Sequence, residues 1–180
     1  RVGMAKPLFG TTATHAACLW ELMGSNDARS LFEGFRSNDV KIQSGNKAVA
    51  LNVGVGVLAF GLTDTDDAIE EVESGKPVKI VYPDSGYGQI GVLFIPNTLA
   101  LIRDAPHQDA AKKLIEYLLS PEVETALARQ KSAQIPLNPA VTIEVRVKTP
   151  RDVKAMSVDF HRAADQFDDA AKCMTELFAE

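Results

Sequence analysis

The sequence predicts an α/β fold, and three features carry that prediction. Short apolar runs at Val2–Ala5, Val40–Ile42 and Val55–Leu62 alternate with segments of helical period, as strands joined by crossover helices do. Each run leads into a turn rich in Gly, Thr, Asn or Asp that opens a helix, at Gly10–Thr12, Gly45–Asn46 and Thr63–Asp67. After Arg103 strands give way almost wholly to helix, which places a boundary there.

Pro7 interrupts the first strand, and Leu8–Thr12 turns into a helix from about Ala13 to Met23, closed by Gly24. Ala16, Leu19, Trp20 and Met23 recur at helical spacing and bury one face. Ser25 or Asn26 caps a second helix through Arg36, with Leu31, Phe32 and Phe35 inward. The strand Val40–Ile42 is followed by Ser44-Gly45-Asn46 and a helix from Lys47 to Val53. Val55–Leu62 reads as a fully buried strand that delivers the acidic turn at its carboxyl end, where ligands gather in open α/β sheets. Thr65 caps a helix over Asp66–Glu73, and Gly75 ends it.

A strand over Val78–Tyr82 precedes the polar loop Pro83–Gln89, in which Tyr87 could order over a ligand. Ile90–Ile95 and Thr98–Ile102 read as strands around Pro96-Asn97. Helices over Gln108–Leu119 and Pro121–Gln130 follow, the first with Ala110, Leu114, Tyr117 and Leu118 as a core stripe. Gln134–Val147 is extended, Thr149-Pro150 opens another capped helix, and Val158–Phe178 is amphipathic, with Asp165, Asp168 and Asp169 on a solvated face.

With 180 residues, 46% of them hydrophobic and 24% charged, the chain fits one domain or two small lobes with a real core. A net charge of -5 without any Lys/Arg run argues against a nucleic-acid surface. The longest apolar stretches, Val53–Leu62 and Ile90–Ile95, are too short to span a bilayer. Cys18 and Cys173 lack paired spacing and read as buried free thiols. Because the chain opens at Arg1 inside a strand, it is expected to be a piece of something longer.

No nucleophile elbow, zincin or P-loop motif is present. Gly54-Val55-Gly56 lacks the third glycine and the following helix of a dinucleotide loop. The acidic turn fails as an EF-hand, since Ile69 stands where Gly is needed and Gly75 where the bidentate Glu belongs. Three helix starts remain. Gly10 lets the backbone approach a ligand, Thr11 and Thr12 supply hydroxyls, Asn46 adds an amide, and first-turn N–H groups hold an anion without any positive side chain. Asp64 and Asp66, two apart beside Thr63, can converge on a metal or an amine. The plainer alternative is a helix cap whose acids, Asp66 and Asp67 included, complement the dipole. His15, one turn into its helix, is expected as a surface histidine.

In their order, Pro7-Leu8-Phe9-Gly10-Thr11-Thr12-Ala13-Thr14-His15, Gly45-Asn46-Lys47-Ala48-Val49-Ala50, Gly61–Ala68, Pro96-Asn97, Ala105-Pro106-His107 through Ala111-Lys112 and Leu118–Glu122 make the chain resemble periplasmic solute-binding proteins of ABC transporters. The likeness extends over nearly the whole chain and leans toward the ferric-iron-binding branch of the type II fold. It implies two α/β lobes closing over a ligand, with residues 1–96 as the second, ligand-binding lobe on a mixed sheet flanked by helices. Residues 97–180 would be the return to the first lobe with its C-terminal helices. The N-terminal part of that first lobe would be missing, leaving apolar surface for self-association.

By the same resemblance the chain is the binding component of an ABC importer, with no catalysis and no cofactor. It would work in the periplasm or outside the cell, lipid-anchored in the full-length protein, and hand a small-molecule or metal ligand to an ABC permease. Gly10, Thr11, Thr12 and Asn46 match the places that hold a synergistic phosphate or carbonate in the iron-binding relatives. Those relatives follow the buried strand with two adjacent tyrosines for ferric iron, whereas Thr65 and Asp66 stand here. The Asp64 and Asp66 oxygens suit a hard cation such as Fe3+, or the ammonium of an aminophosphonate or polyamine. A ligand-sensing domain of a regulator, and a hydrolase using Asp64 and Asp66 around a metal, are the readings from other classes.

Overall fold

The computed structural model describes residues 1–179. Strands β1 (Val2–Ala5), β2 (Lys41–Gln43) and β3 (Phe60–Leu62) form one sheet in the order β2-β1-β3, with both pairings parallel. Met4 at the centre stands opposite Ile42 on one side and Leu62 on the other. Parallel neighbours need crossovers. Helices α1 (Gly10–Met23) and α2 (Ser25–Ser37) join β1 to β2, α3 (Asn46–Gly54) joins β2 to β3, and α4 (Thr65–Glu73) follows β3. Since the strands point the same way, α1, α3 and α4 all start from the sheet's carboxyl edge.

Four further helices follow, α5 (Gln108–Leu118), α6 (Pro121–Arg129), α7 (Phe160–Asp165) and α8 (Phe167–Phe178). The main core joins Met4 of β1, Ala16, Leu19 and Trp20 of α1, Ala28 and Phe32 of α2, and Ala170, Met174 and Phe178 of α8. Phe32 lies at its centre, with ring centroids 5.7 Å from Phe35, 6.1 Å from Trp20 and 6.4 Å from Phe178. Helices α7 and α8, which the sequence groups with residues 97–180, therefore pack with residues 1–96, and two distant stretches of chain share one core. Cys18 and Cys173 are buried and unpaired, and burial pushes the Cys18 thiol up to about 11, so it stays protonated at neutral pH.

A smaller cluster joins Ile69 of α4 to Ala133 and Val147, with Val72, Ile80, Ile135 and Val145 against it. Arg146 ties its edges together. One guanidinium nitrogen donates to both Glu73 oxygens at 2.5 and 2.7 Å, and the other donates to the Gln130 carbonyl just past α6.

Several expected elements differ. The expected mixed sheet is a parallel one, because among the described residues the strands paired in it are the three linked by helices. The run Val55–Leu62 is not one buried strand: α3 extends to Gly54, only Phe60–Leu62 pairs, and Val55, Val57 and Phe60 are exposed. β3 sits at the sheet edge, so one side of it is open. Val78–Tyr82, Ile90–Ile95 and Thr98–Ile102 form no described strand, and of them only Val92 makes a bridge, to Ala155. Thr149-Pro150 opens a turn rather than a helix, closed by the Thr149 hydroxyl donating to Asp152 Oδ2 at 2.8 Å. Val158–Phe178 is broken at Gln166 into α7 and α8. The α5 stripe is no core either, for Leu114 and Tyr117 are each 56% exposed and α5, which packs beside α6, has no buried residue.

Phe32→Ala should cost about 3–5 kcal/mol of stability by opening the aromatic cluster, whereas Leu114→Ser should cost less than about 0.5 kcal/mol. Urea denaturation of both variants checks this, and equal losses would contradict the core assignment.

Candidate functional site

The three helix starts on the carboxyl edge meet through side chains. Thr11 sits in the first turn of α1, Asn46 is the first residue of α3, and Asp64 immediately precedes α4. Asp64 Oδ2 accepts the Thr11 hydroxyl at 2.7 Å and the Asn46 amide at 2.6 Å. The same amide nitrogen donates to Thr11 Oγ1 at 2.9 Å, and Thr12 donates to Asn46 Oδ1 at 3.5 Å. Thr63 adds its hydroxyl, donated to the Asn46 backbone carbonyl at 2.9 Å. Residues that are 53 positions apart in the chain are thus joined by one carboxylate oxygen.

None of these three helices is capped by a side chain. Phe9 and Gly45, before α1 and α3, carry no side-chain acceptor, and Asp64 does not turn back onto α4. Thr65, expected as the cap of α4, is its first residue. No residue before α1 or α3 supplies a side-chain acceptor to their first-turn N–H groups, which leaves them for an anion from outside their own segment, whereas in α4 the Asp67 N–H is taken by the Asp66 carboxylate. Gly10 is exposed with φ +63, a left-handed turn that glycine adopts without strain, and a Cβ there would meet nothing within 4 Å.

Asp66 is half-buried, and its Oδ1 accepts the Asp67 N–H at 3.0 Å. Burial, with the Asp64 charge adding to it, holds the Asp66 carboxyl above the usual aspartate range against that hydrogen bond. Asp67 is raised as well, by burial and by Asp66, with Lys47 opposing. Lys47 Nζ itself pairs with Glu70 at 2.7 Å and reaches Glu71 at 3.8 Å. His15 is half-buried rather than a free surface residue. Burial pushes its pKa below the ordinary value, while the carboxylates of Asp64 and Asp84 pull it back. The sequence signal for its place was its spacing of four from Thr11, one turn further along the same face.

Tyr87 stands apart from this cluster. It is fully exposed on the Pro83–Gln89 loop, which closes on itself as the Gly86 N–H donates to Gln89 Oε1 at 2.7 Å. Among the described residues, no three His, Cys, Asp or Glu side chains converge as metal ligands, so Asp64 and Asp66 make no complete metal centre alone. No described helix is long and apolar enough to cross a membrane. An open groove of about 420 Å³ lies over the smaller apolar cluster, lined by Val72, Ile80, Tyr82 and Val147 among others, and includes none of the polar cluster. Chemically the cluster offers hydroxyl, amide and backbone donors beside carboxylates. That set can hold an anionic group and a cationic one side by side.

Residues 1–130 match the family of bacterial extracellular solute-binding proteins, well over half of the chain. The chain belongs to that family. This solute-binding chain is 29% identical over 106 residues to a putative 2-aminoethylphosphonate-binding periplasmic protein of Salmonella typhi, across 58% of its own length and 32% of the other's. It is 24% identical over 165 residues to iron uptake protein A2 of Synechocystis, across 86% of its length and 47% of that protein's. The chain thus spans less than half of these curated relatives. In fold it is similar to the ferric binding protein from Campylobacter jejuni, with a TM-score of 0.79 at 21% identity, covering 98% of this chain and 58% of that one. The family and these relatives are binding proteins and not enzymes.

The Asp66 carboxyl yields a pH signature. A folded-state pKa above the unfolded one means the folded chain binds more protons between the two values, so Asp66 costs stability as pH rises from about 4 through the raised pKa. Asp66→Asn should melt higher than the parent at neutral pH, with the gap closing below about pH 4, as calorimetry across that range will read.

Proposed function

We propose that this chain is the ligand-binding part of an ABC importer's receptor and seats a small solute in which an anionic and a cationic group lie close together. What carries the reading is the convergence of Thr11, Asn46 and Asp64 at the starts of α1, α3 and α4. Gly10, Thr11, Thr12 and Asn46 take the anionic group, as oriented N–H and O–H donors do for phosphonate oxygens. Thr63 holds α3 against the acidic turn, and Asp64 and Asp66 face the cationic group. Tyr87, unencumbered on its loop, is the side chain available to cover the bound solute. A 2-aminoethylphosphonate-like molecule fits this donor set, and the Salmonella relative supports it.

Ferric iron with a synergistic phosphate or carbonate is the second reading. It is favoured by the iron-uptake relative of Synechocystis and by the oxygen ligands of Asp64 and Asp66. Further iron ligands would come from outside this pair. In either case the solute passes to an ABC permease, and the place of action is the periplasm or the cell exterior. Residues 1–96 together with α7 and α8 make the ligand-holding lobe, and the remainder of residues 97–180 belongs to its partner lobe.

Calorimetric titration of the chain with 2-aminoethylphosphonate, and separately with ferric citrate plus phosphate, tests the reading. Thr11→Val and Thr12→Val each remove a donor to a charged group, worth about 1.5–3 kcal/mol, and should weaken binding of the anion by about 10-fold or more. Unchanged affinity in both variants would place the anion elsewhere.

A further inference from the structure

Asp64 does something unusual for a residue before a helix. Asp in that position ordinarily caps its own helix, a contact worth about 0.5–2 kcal/mol. Here the carboxylate leaves α4 uncapped and reaches across to the donors of α1 and α3, taking both on one oxygen at 2.6 and 2.7 Å. Thr11 and Asn46 are the side chains assigned above to the incoming anion, so the protein already carries an anion of its own on them. The surroundings reinforce the effect. Asp66 and Asp67 stand beside Asp64, and Lys47 is drawn away to Glu70 and Glu71.

We infer that Asp64 is the specificity-determining residue of the seat: its carboxylate, held on the Thr11 and Asn46 donors, rejects bare oxyanions and admits an anion only when the solute brings a positive charge with it. This rests on the proposed reading of the cluster as the ligand seat. An unaccompanied phosphonate or phosphate would have to displace Asp64 from two charge-assisted hydrogen bonds and then lie against its negative charge. A solute carrying an ammonium, or a phosphate carrying a metal cation, turns the same carboxylate into a partner. The constraint holds for both ligand readings, because each pairs an anion with a cation.

Two matched pairs of probes differ only in that cation: ethylphosphonate against 2-aminoethylphosphonate, and orthophosphate without and with Fe3+. Isothermal titration of the parent chain should show, in at least one pair, the cation-bearing probe binding at least about tenfold more tightly. Asp64→Asn keeps the shape and removes the charge. It should strengthen the bare member of that pair and weaken the cation-bearing one, so that the gap falls to about threefold or less. Equal binding of bare and cation-bearing probes by the parent chain overturns the inference, with or without a folded variant. Equal weakening of both probes in Asp64→Asn, with its circular dichroism unchanged, also overturns it and leaves Asp64 as a positioning residue for Thr11 and Asn46. Absence of binding by all four probes would instead overturn the seat itself, and the inference with it.

Discussion

Parallel pairing of β1 on both of its sides is the constraint from which the rest follows. A parallel neighbour cannot be reached through a tight turn, so the chain must cross over the sheet each time and re-enter in the same direction. The first helix after each strand then begins beside the same sheet edge. The convergence of Thr11, Asn46 and Asp64 is a product of this arrangement, since no local feature of any one segment would bring them together. Small side chains make the close assembly feasible. A Cβ on Gly61 in β3 would run into the Val49 side chain of α3, and Val49 is fully buried.

On the proposed reading, an acidic protein that seats an anion has to solve an electrostatic problem, and oriented dipoles are its means. Backbone N–H groups, two hydroxyls and an amide provide the attraction, while the side-chain charge around them is negative. Lys47 does not relieve this, because Glu70 and Glu71 already occupy it. The proposed seat would then take its preference from charge pairing within the ligand rather than from net attraction to the protein.

Much of this was legible from residue order. Polar, hydroxyl-bearing helix starts after apolar runs singled out Gly10, Thr11, Thr12 and Asn46 for an anion and Thr63, Asp64 and Asp66 for a cation; side-chain hydrogen bonds link Thr11, Thr12, Asn46, Thr63 and Asp64, while Gly10, Asp66 and Tyr87 lie outside that network. Boundaries were less legible, because apolar residues look alike at a helix end and in an edge strand. Val53–Leu62 is divided between α3, a turn and β3 for that reason. The Leu114 and Tyr117 stripe on α5 has the right spacing for a core, but periodicity names a face and not its partner. Nothing in sequence spacing announces that Asp64 abandons its own helix for two others, since that depends on three strands being aligned first.

The sharing of one core between α1, α2 and α8 has a consequence for how the chain is made. Trp20 and Phe32 are synthesised early, and their cover, Met174 and Phe178, comes more than a hundred residues later. Closing so long a loop carries an entropic cost, repaid only when the late helix docks, and contacts this remote in sequence slow folding. Until residues 170–178 have emerged, the early helices hold an uncovered aromatic surface that holding chaperones can grip. Helix α8 works as a latch, since the lobe's aromatic surface is shut only when this late segment docks.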